Sequence, residues 1–366
     1  MTSQFKIPFY AKASIVFIGL FAFISTLYLA RDIILPILYA TIIAILLSPM
    51  VDYLVKRNVN RVFGIMISLS LLTVFTLSII IALASELSSV SNSFPALVDK
   101  FSETISKSAQ WASDYFNIST RKVNLYIADT KSQMLDSSMS TIGSTLNSVG
   151  GAIIVLALIP VYVFMLLFYQ PLLLDFIRKL FGERHSVQVN AVLSSTKTIV
   201  RKYLIGLMFE AAIIACLNSV GLIIIGIDHA IVLGIIGALL NVIPYIGGII
   251  AVGLPMIVAF VTKSSASYAL MVLVVYSVIQ FIDNHYIVPK VVASKVKVNA
   301  LISIIVVLAG GALWGVPGMF LSIPITAILK VVFDHIEPLK PWGLLLGDTM
   351  PPISFFKNKV YKLKII

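Results

Sequence analysis

The 366-residue chain is 59% hydrophobic and 12% charged, with a mean hydropathy of +1.02. Soluble domains are about a quarter charged, so this composition excludes a water-soluble globular protein and predicts a polytopic membrane protein. The net charge of +11 does not indicate nucleic-acid binding, because most Lys and Arg residues fall in alternate loops without an aromatic-interleaved groove. No nucleic acid is therefore expected as a partner. The expected partners of these basic residues are anionic lipid headgroups on the cytoplasmic side.

Residues 1–84 predict three membrane spans. Apolar runs cover about residues 13–30, 33–55 and 62–84, each close to the roughly 20 residues that a bilayer core requires. The first run lacks a small-residue cleavage site, so we expect a retained span and not a signal peptide. Pro49 lies in the second run, where a proline should kink or end the regular helix. Basic residues before the first run and after the second place both regions in the cytoplasm.

Residues 85–150 are more polar, with frequent Ser and Thr and mixed charges. Apolar residues at helical spacing from Leu97 to Phe116 predict at least one amphipathic helix in this extracytoplasmic segment. Its apolar face is expected to pack on neighbouring helices or to lie among lipid headgroups. A receptor-like binding module is the alternative.

Residues 151–203 predict a fourth span followed by a cytoplasmic helix. The span covers about residues 152–169 and returns the chain to the cytoplasm. From Asp175 to Lys202, six cationic residues accompany an apolar stripe at helical spacing. This pattern predicts an amphipathic helix on the inner leaflet.

Residues 204–263 and residues 264–335 contain the same predicted elements in the same order. Each begins with a span and continues into an apolar run, residues 230–260 and 299–333, that Gly and Pro interrupt. The first run breaks into arms of about 14 residues, which reach about 21 Å at helical rise and are too short for a bilayer core of about 30 Å. The runs therefore predict two re-entrant hairpins entered from opposite faces, an inverted repeat that indicates a transport site near mid-membrane. The basic tail, residues 336–366, is expected in the cytoplasm.

Three blocks of residues resemble the signature motifs of a bacterial membrane-protein family. They are Leu240-Asn241-Val242-Ile243-Pro244-Tyr245-Ile246-Gly247, Gln280…Asp283-Asn284…Val288-Pro289 and Gly311…Gly315-Val316-Pro317-Gly318…Ile323-Pro324…Leu329-Lys330. The chain resembles the autoinducer-2 exporter family over nearly its whole length. This resemblance implies an inner-membrane transporter of about eight membrane segments that forms a homo-oligomer. Family members are variously linked to export of the signalling furanone, to sodium or lithium/proton antiport and to small-molecule efflux, so the substrate stays open.

Glu210 is the one carboxylate predicted deep in an apolar span and away from any loop. Burying its charge costs at least about 2.5 kcal/mol on insertion scales, so it must face protein or water, pair, or stay protonated. One interpretation is a proton or cation carrier. The other is a structural carboxylate that is protonated or hydrogen-bonded.

The remaining candidate binding residues lie at the two breaks and near the inner end of the sixth span. Gln280, Asp283 and Asn284 share one helical face and could bind a cation or a hydroxylated solute. The alternative is an ion pair of Asp283 with Lys290 or Lys295. Residues at the breaks let the chain reverse, and their freed carbonyls and half-helix ends could also bind an ion or polar solute. They are Asn241, Pro244, Tyr245, Gly247 and Gly248 at the first break and Gly310, Gly311, Gly315, Pro317 and Gly318 at the second.

Together these patterns predict an all-α, polytopic integral membrane protein of about eight membrane segments, including two broken re-entrant hairpins in inverted repeats. The expected function is secondary transport or export of a small polar molecule across the bacterial inner membrane, coupled to protons or sodium. The alternatives are a sodium or lithium/proton antiporter and a passive pore or oligomeric scaffold. No nucleotide-binding loop, nucleophile–base pair or metal-ligand cluster occurs in the sequence, so no enzyme activity, cofactor or metal site is predicted.

Overall fold

The computed structural model describes residues 8–82, 103, 106, 157–244, 247–263, 265–293 and 296–348, and these residues are helical with no β-strand among them. The helices are α1 (Phe9–Leu29), α2 (Arg31–Lys56), α3 (Arg61–Ala82), α4 (Ala157–Phe168), α5 (Gln170–Phe181), α6 (Ser186–Ile225), α7 (Ala230–Asn241), α8 (Gly247–Lys263), α9 (Ala266–Ile282), α10 (Ala300–His335) and α11 (Lys340–Leu346). The predicted all-α fold is confirmed. The predicted extracytoplasmic segment, residues 85–150, and the tail beyond residue 348 lie almost wholly outside the described residues.

Six helices of the described chain are long and apolar enough to cross a membrane: α1, α2, α3, α6, α9 with its continuation to Val292, and α10. The pair α4 and α5, bent by 62° at its junction, would make a seventh span. Many of their Leu, Ile, Val and Phe side chains are exposed, which in a chain of this composition places them against lipid. The prediction of a multi-pass membrane protein is confirmed.

Pro49 lies within α2, which continues to Lys56, close to the predicted end of the second span near residue 55. One predicted helix boundary is wrong. The predicted cytoplasmic helix and the predicted fifth span are one helix of 40 residues, α6. Neither glycine nor proline occurs in α6 before Gly206, so the backbone hydrogen bonds continue where the side chains change from amphipathic to apolar.

The chain divides into two compact units, which we describe separately. The first unit comprises Met1–Leu174 and Leu207–Val288, and the second comprises Asp175–Gly206 and Pro289–Ile366. In the first unit, a core of buried residues joins α2, α3 and α4: Ala40, Ala44, Leu47, Val51, Ile65, Val163 and Leu167.

The first broken run folds as a helical hairpin in the first unit. A Cβ on Gly247 would overlap the Leu240 carbonyl, and Gly237, earlier in α7, lies beside Ala251, later in α8. The two helices therefore run antiparallel. With 12 residues, α7 spans about 18 Å, well short of a bilayer core of about 30 Å. The predicted break after Asn241 is present.

The second broken run also reverses its direction, although its hydrogen-bond pattern reads as one helix, α10. Gly315 has φ 66° and ψ −148°, a region that only glycine adopts readily. In a straight helix, residues 310 and 318 would be about 12 Å apart. Here a Cβ on Gly310 would lie 2.6 Å from the Gly318 carbonyl oxygen. The chain therefore folds back at Gly315 into two arms, each shorter than the length of α10 suggests.

Asn299 closes the base of this second hairpin. Its side-chain oxygen accepts a hydrogen bond from the Ile302 amide at 2.8 Å, which caps the first turn of α10. Its side-chain nitrogen donates to the Leu345 carbonyl at 2.7 Å, and its backbone amide donates to the Leu346 carbonyl at 3.0 Å. One residue therefore ties the start of α10 to the end of α11.

Substituting Gly315 tests the reversal of α10. Gly315→Ala should cost about 1–3 kcal/mol of unfolding free energy, because alanine is strained at this φ and ψ. Gly253→Ala is the matched control, since Gly253 lies within α8 with open space around it and alanine favours a helix by about 1 kcal/mol. Thermal unfolding of the purified variants in detergent measures both effects. Equal unfolding temperatures for the two variants would contradict the reversal.

Candidate functional site

Polar side chains are buried together in the first unit among α6, α7, α9 and the turn that follows α9. Glu210 and Asn218 on α6 are 6% and 2% exposed, and Tyr276 and Asp283 are 6% and 1% exposed. Asn241 ends α7 and reaches the same group. Carboxyl, amide and phenol groups are rarely this buried in an apolar interior unless they have a structural or functional role.

Asp283 points inward because it continues the buried face of α9. Val272, Tyr276, Ile279 and Asp283 follow each other at spacings of four, three and four residues, which places them on one side of the helix. Asp283 begins a π-helical turn that runs to Ile287. Such turns widen the helix locally and are common at functional sites.

Asn241, at the end of α7, binds Asp283, which directly follows α9. The Asn241 side-chain nitrogen donates a hydrogen bond of 2.8 Å to one carboxylate oxygen of Asp283. Close by, a Cβ on Gly248 would lie 2.9 Å from the Gln280 side-chain oxygen and 3.4 Å from that of Asn241. The structure therefore brings the first break together with the C-terminal end of α9.

Not every predicted site residue joins this cluster. Asn284 is exposed and accepts a hydrogen bond of 3.3 Å from Gln280, at the edge of the group. Pro244 lies in the turn after α7, and Tyr245 lies outside the described residues. The residues of the second break lie in the reversal of α10 in the second unit, where Gly310 and Gly318 meet: Gly310, Gly311, Gly315, Pro317 and Gly318.

Glu210 and Asp283 form a pair of buried carboxyl groups. They lie close enough to repel each other electrostatically. Two uncompensated negative charges are very costly in an apolar interior, so the pair favours a proton or a bound cation.

Three buried oxygen atoms in the cluster have no hydrogen-bond partner among the described residues: the second carboxylate oxygen of Asp283, the amide oxygen of Asn218 and the hydroxyl of Tyr276. Each such atom costs about 1–3 kcal/mol, which indicates an ion, water or solute as the missing partner. The sequence reasoning missed Asn218 and Tyr276. The available signal was spacing, because Asn218 follows Glu210 by eight residues and Tyr276 precedes Asp283 by seven, about two helical turns each.

Comparison with known proteins gives consistent relatives. A family described as AI-2E family transporter matches residues 15–337, a range that contains the whole polar cluster. The chain is 25% identical over 345 residues, 90% of its length and 89% of the relative's, to YueF of Bacillus subtilis (strain 168), provisionally named a transport protein. It is 24% identical over 322 residues to the AI-2 transport protein TqsA of Escherichia coli (strain K12), covering 87% of this chain and 90% of TqsA.

A double-mutant cycle tests the bond between Asn241 and Asp283. We expect Asn241→Ala and Asp283→Ala to be coupled by about 1.5–3 kcal/mol, because the hydrogen bond is partly buried and is charge-assisted when Asp283 is ionised. The matched control is the exposed pair Gln280 and Asn284, whose coupling should be close to zero. The measurement is the unfolding free energy of the single and double variants in detergent. Additive effects at Asn241 and Asp283 would show that the bond does not form.

Proposed function

This chain belongs to the AI-2E transporter family, and on that premise we propose that it is a secondary transporter that exports a small polar molecule across the bacterial inner membrane. A transport role in a multi-pass membrane protein follows from the family match and from the apolar helices. The direction of transport, the class of substrate and the coupling to an ion are the proposal.

The buried carboxyl pair beside the first hairpin is the observation that carries the proposal. Ionisable side chains within a membrane domain are expensive, and they commonly mark the path of a substrate or proton. Glu210 and Asp283 are 6% and 1% exposed. They lie where α7 ends at a break, and broken helices in transporters often place their ends at the bound solute or ion.

The geometry supports a mechanism in which protonation loosens the hairpin. An ionised Asp283 accepts a strong, charge-assisted hydrogen bond from Asn241. When Asp283 takes up a proton or binds a cation, the hydrogen bond from Asn241 weakens. The contact between the end of α7 and the end of α9 then weakens as well. Glu210 then serves as the carrier that exchanges a proton or cation with Asp283. In this way an ion gradient would drive the step that exposes the solute.

The first candidate substrate is a small hydroxylated molecule like AI-2, because a relative of similar length is named as an AI-2 transport protein. The amides of Asn241 and Gln280 offer both donors and acceptors to such hydroxyl groups. The proposed transporter has two inverted repeats with re-entrant hairpins, both termini in the cytoplasm, residues 85–150 outside, and a homo-oligomeric assembly. Basic residues such as Arg57 would contact anionic headgroups at the inner surface. The guanidinium carbon of Arg57 lies 4.7 Å from the centre of the Tyr53 ring.

Glu210→Gln tests the proposal in proteoliposomes. Wild-type protein should move AI-2 faster when a pH gradient is imposed. In Glu210→Gln the increase in AI-2 flux caused by the gradient should be at least tenfold smaller, because the glutamine side chain cannot take up and release a proton. Glu337→Gln is the matched control, because Glu337 is an exposed carboxylate paired with Lys340.

Three results would argue against the proposal. An unchanged pH dependence in a correctly assembled Glu210→Gln variant would remove Glu210 from the mechanism. Exchange of protons for sodium without movement of AI-2 would favour the antiporter alternative. Flux that never saturates with solute concentration would favour a passive pore.

A further inference from the structure

The change from α-helical to π-helical hydrogen bonding after α9 falls on Asp283 itself. The Asp283 amide donates back to the Ile279 carbonyl, four residues earlier, as in a regular helix. The Asp283 carbonyl accepts from the Val288 amide, five residues later, as in a π-helix. A π-helical turn accommodates one extra residue, so a turn that began before Asp283 would rotate this residue by about 100° around the helix axis. The direction of the Asp283 side chain therefore depends on where the turn begins.

Phe281 and His285 contact each other on the opposite side of the helix. Each lies two residues from Asp283, which is about 200° around the helix axis. The Nδ1 of His285 lies 2.9 Å from the Phe281 carbonyl oxygen, and because a carbonyl oxygen only accepts, Nδ1 carries the hydrogen and donates it. The two rings stack with their centroids 4.2 Å apart and 25° between their planes. Phe281 and His285 are exposed, whereas Asp283 is buried.

We propose that His285 is a positioning residue for Asp283. Its hydrogen bond joins the backbone before Asp283 to the side chain after it, and it spans four residues, close to one α-helical turn. Because this bond fixes the chain on both sides of Asp283, the π-helical turn begins at Asp283 and not one residue earlier. Asp283 then points to Asn241, whose side-chain nitrogen donates to it at 2.8 Å. Stacking on Phe281 holds the imidazole ring in the orientation that donation requires.

The same kind of bond occurs in α10, which provides a comparison within this chain. His335 donates from Nδ1 to the Val331 carbonyl at 2.7 Å, also four residues earlier. Its neighbour Asp334 is 41% exposed and pairs with Lys330 in the same helix. His285 differs in its place, because it lies two residues from a buried carboxylate that a residue of α7 contacts.

This inference deepens the proposed function, because it names a residue outside the polar cluster that sets the contact between α7 and the end of α9. It rests on the proposed function for any effect of His285 on transport. The effect on the bond between Asn241 and Asp283 does not depend on transport and can be measured separately.

The double-mutant cycle of Asn241→Ala and Asp283→Ala, repeated in three variants of the full-length protein, tests this role. A cycle cancels any general effect of the added substitution on stability and reports the coupling between the two residues. In His285→Phe, which keeps a ring and loses the donor, the coupling should fall to about half or less of its wild-type value. In His285→Asn, whose amide nitrogen takes the place of Nδ1, the coupling should be retained. His335→Phe is the matched control and should leave the coupling unchanged.

Nitrogen NMR of the histidine-labelled protein gives a second measurement if His285→Phe fails to fold. The hydrogen bond that a ring nitrogen makes decides which nitrogen of a histidine carries the proton. The wild-type protein should therefore show a protonated Nδ1 at His285, and the loss of that signal in His285→Asn assigns it. A His285 ring that is protonated at Nε2 alone would overturn the inference.

Three results of the cycles would also overturn the inference. They are an unchanged coupling in His285→Phe, an equal loss of coupling in His285→Asn, and a loss of coupling in His335→Phe, which would show that the effect is general.

AI-2 flux in proteoliposomes separates this inference from the proposed function. His285→Phe should lower the flux driven by a pH gradient by about tenfold, because misplacing a site residue by about 1 Å is costly, whereas His285→Asn should not. Flux that depends on Glu210, together with an unchanged coupling in His285→Phe, would retain the proposed function and overturn the role of His285. Conversely, a coupling that requires His285 in a protein without AI-2 flux would retain the role of His285 and remove the proposed function.

Discussion

The polar interior of the first unit depends on the hydrogen bond between Asn241 and Asp283. It joins the residue at which α7 ends to the residue at which α9 passes into a π-helical turn. A carboxylate that is 1% exposed needs a donor, and a helix that ends inside a membrane domain needs a polar neighbour. Asn241 supplies the donor for the Asp283 carboxylate, and this carboxylate is the polar neighbour of the end of α7. The broken hairpin and the buried carboxylate therefore stabilise each other.

The two hairpins reverse the direction of the chain in different ways. The first uses two separate helices joined by a turn, and the overlap of Gly247 with Leu240 leaves no room for a side chain. The second concentrates the change of direction in Gly315, with Gly310 against Gly318 where the arms meet. Close approach of backbones strengthens packing where no hydrophobic effect drives helices together. Glycine at these points is therefore a packing requirement before it is a binding feature.

Two levels of polar groups follow α6 and α9 through the first unit. One contains the carboxyl groups of Glu210 and Asp283, and the other contains the neutral side chains of Asn218 and Tyr276 beside Gly237. In the proposed transport cycle the first level exchanges a proton or a cation. The two levels are about two helical turns apart, so the charge at the first level acts on the polar groups of the second without direct contact.

The sequence alone determined the all-α membrane fold, the positions of both breaks and the burial of Glu210, because hydropathy, Gly and Pro act locally along the chain. It did not reveal that α6 is continuous. Only the tertiary structure brought Asn241 to Asp283 and added Asn218 and Tyr276 to the cluster. The physical reason is that the sequence leaves the rotation of each apolar helix about its own axis undetermined. A helix that is apolar on all sides does not specify which face packs inward, and the neighbouring helices decide it.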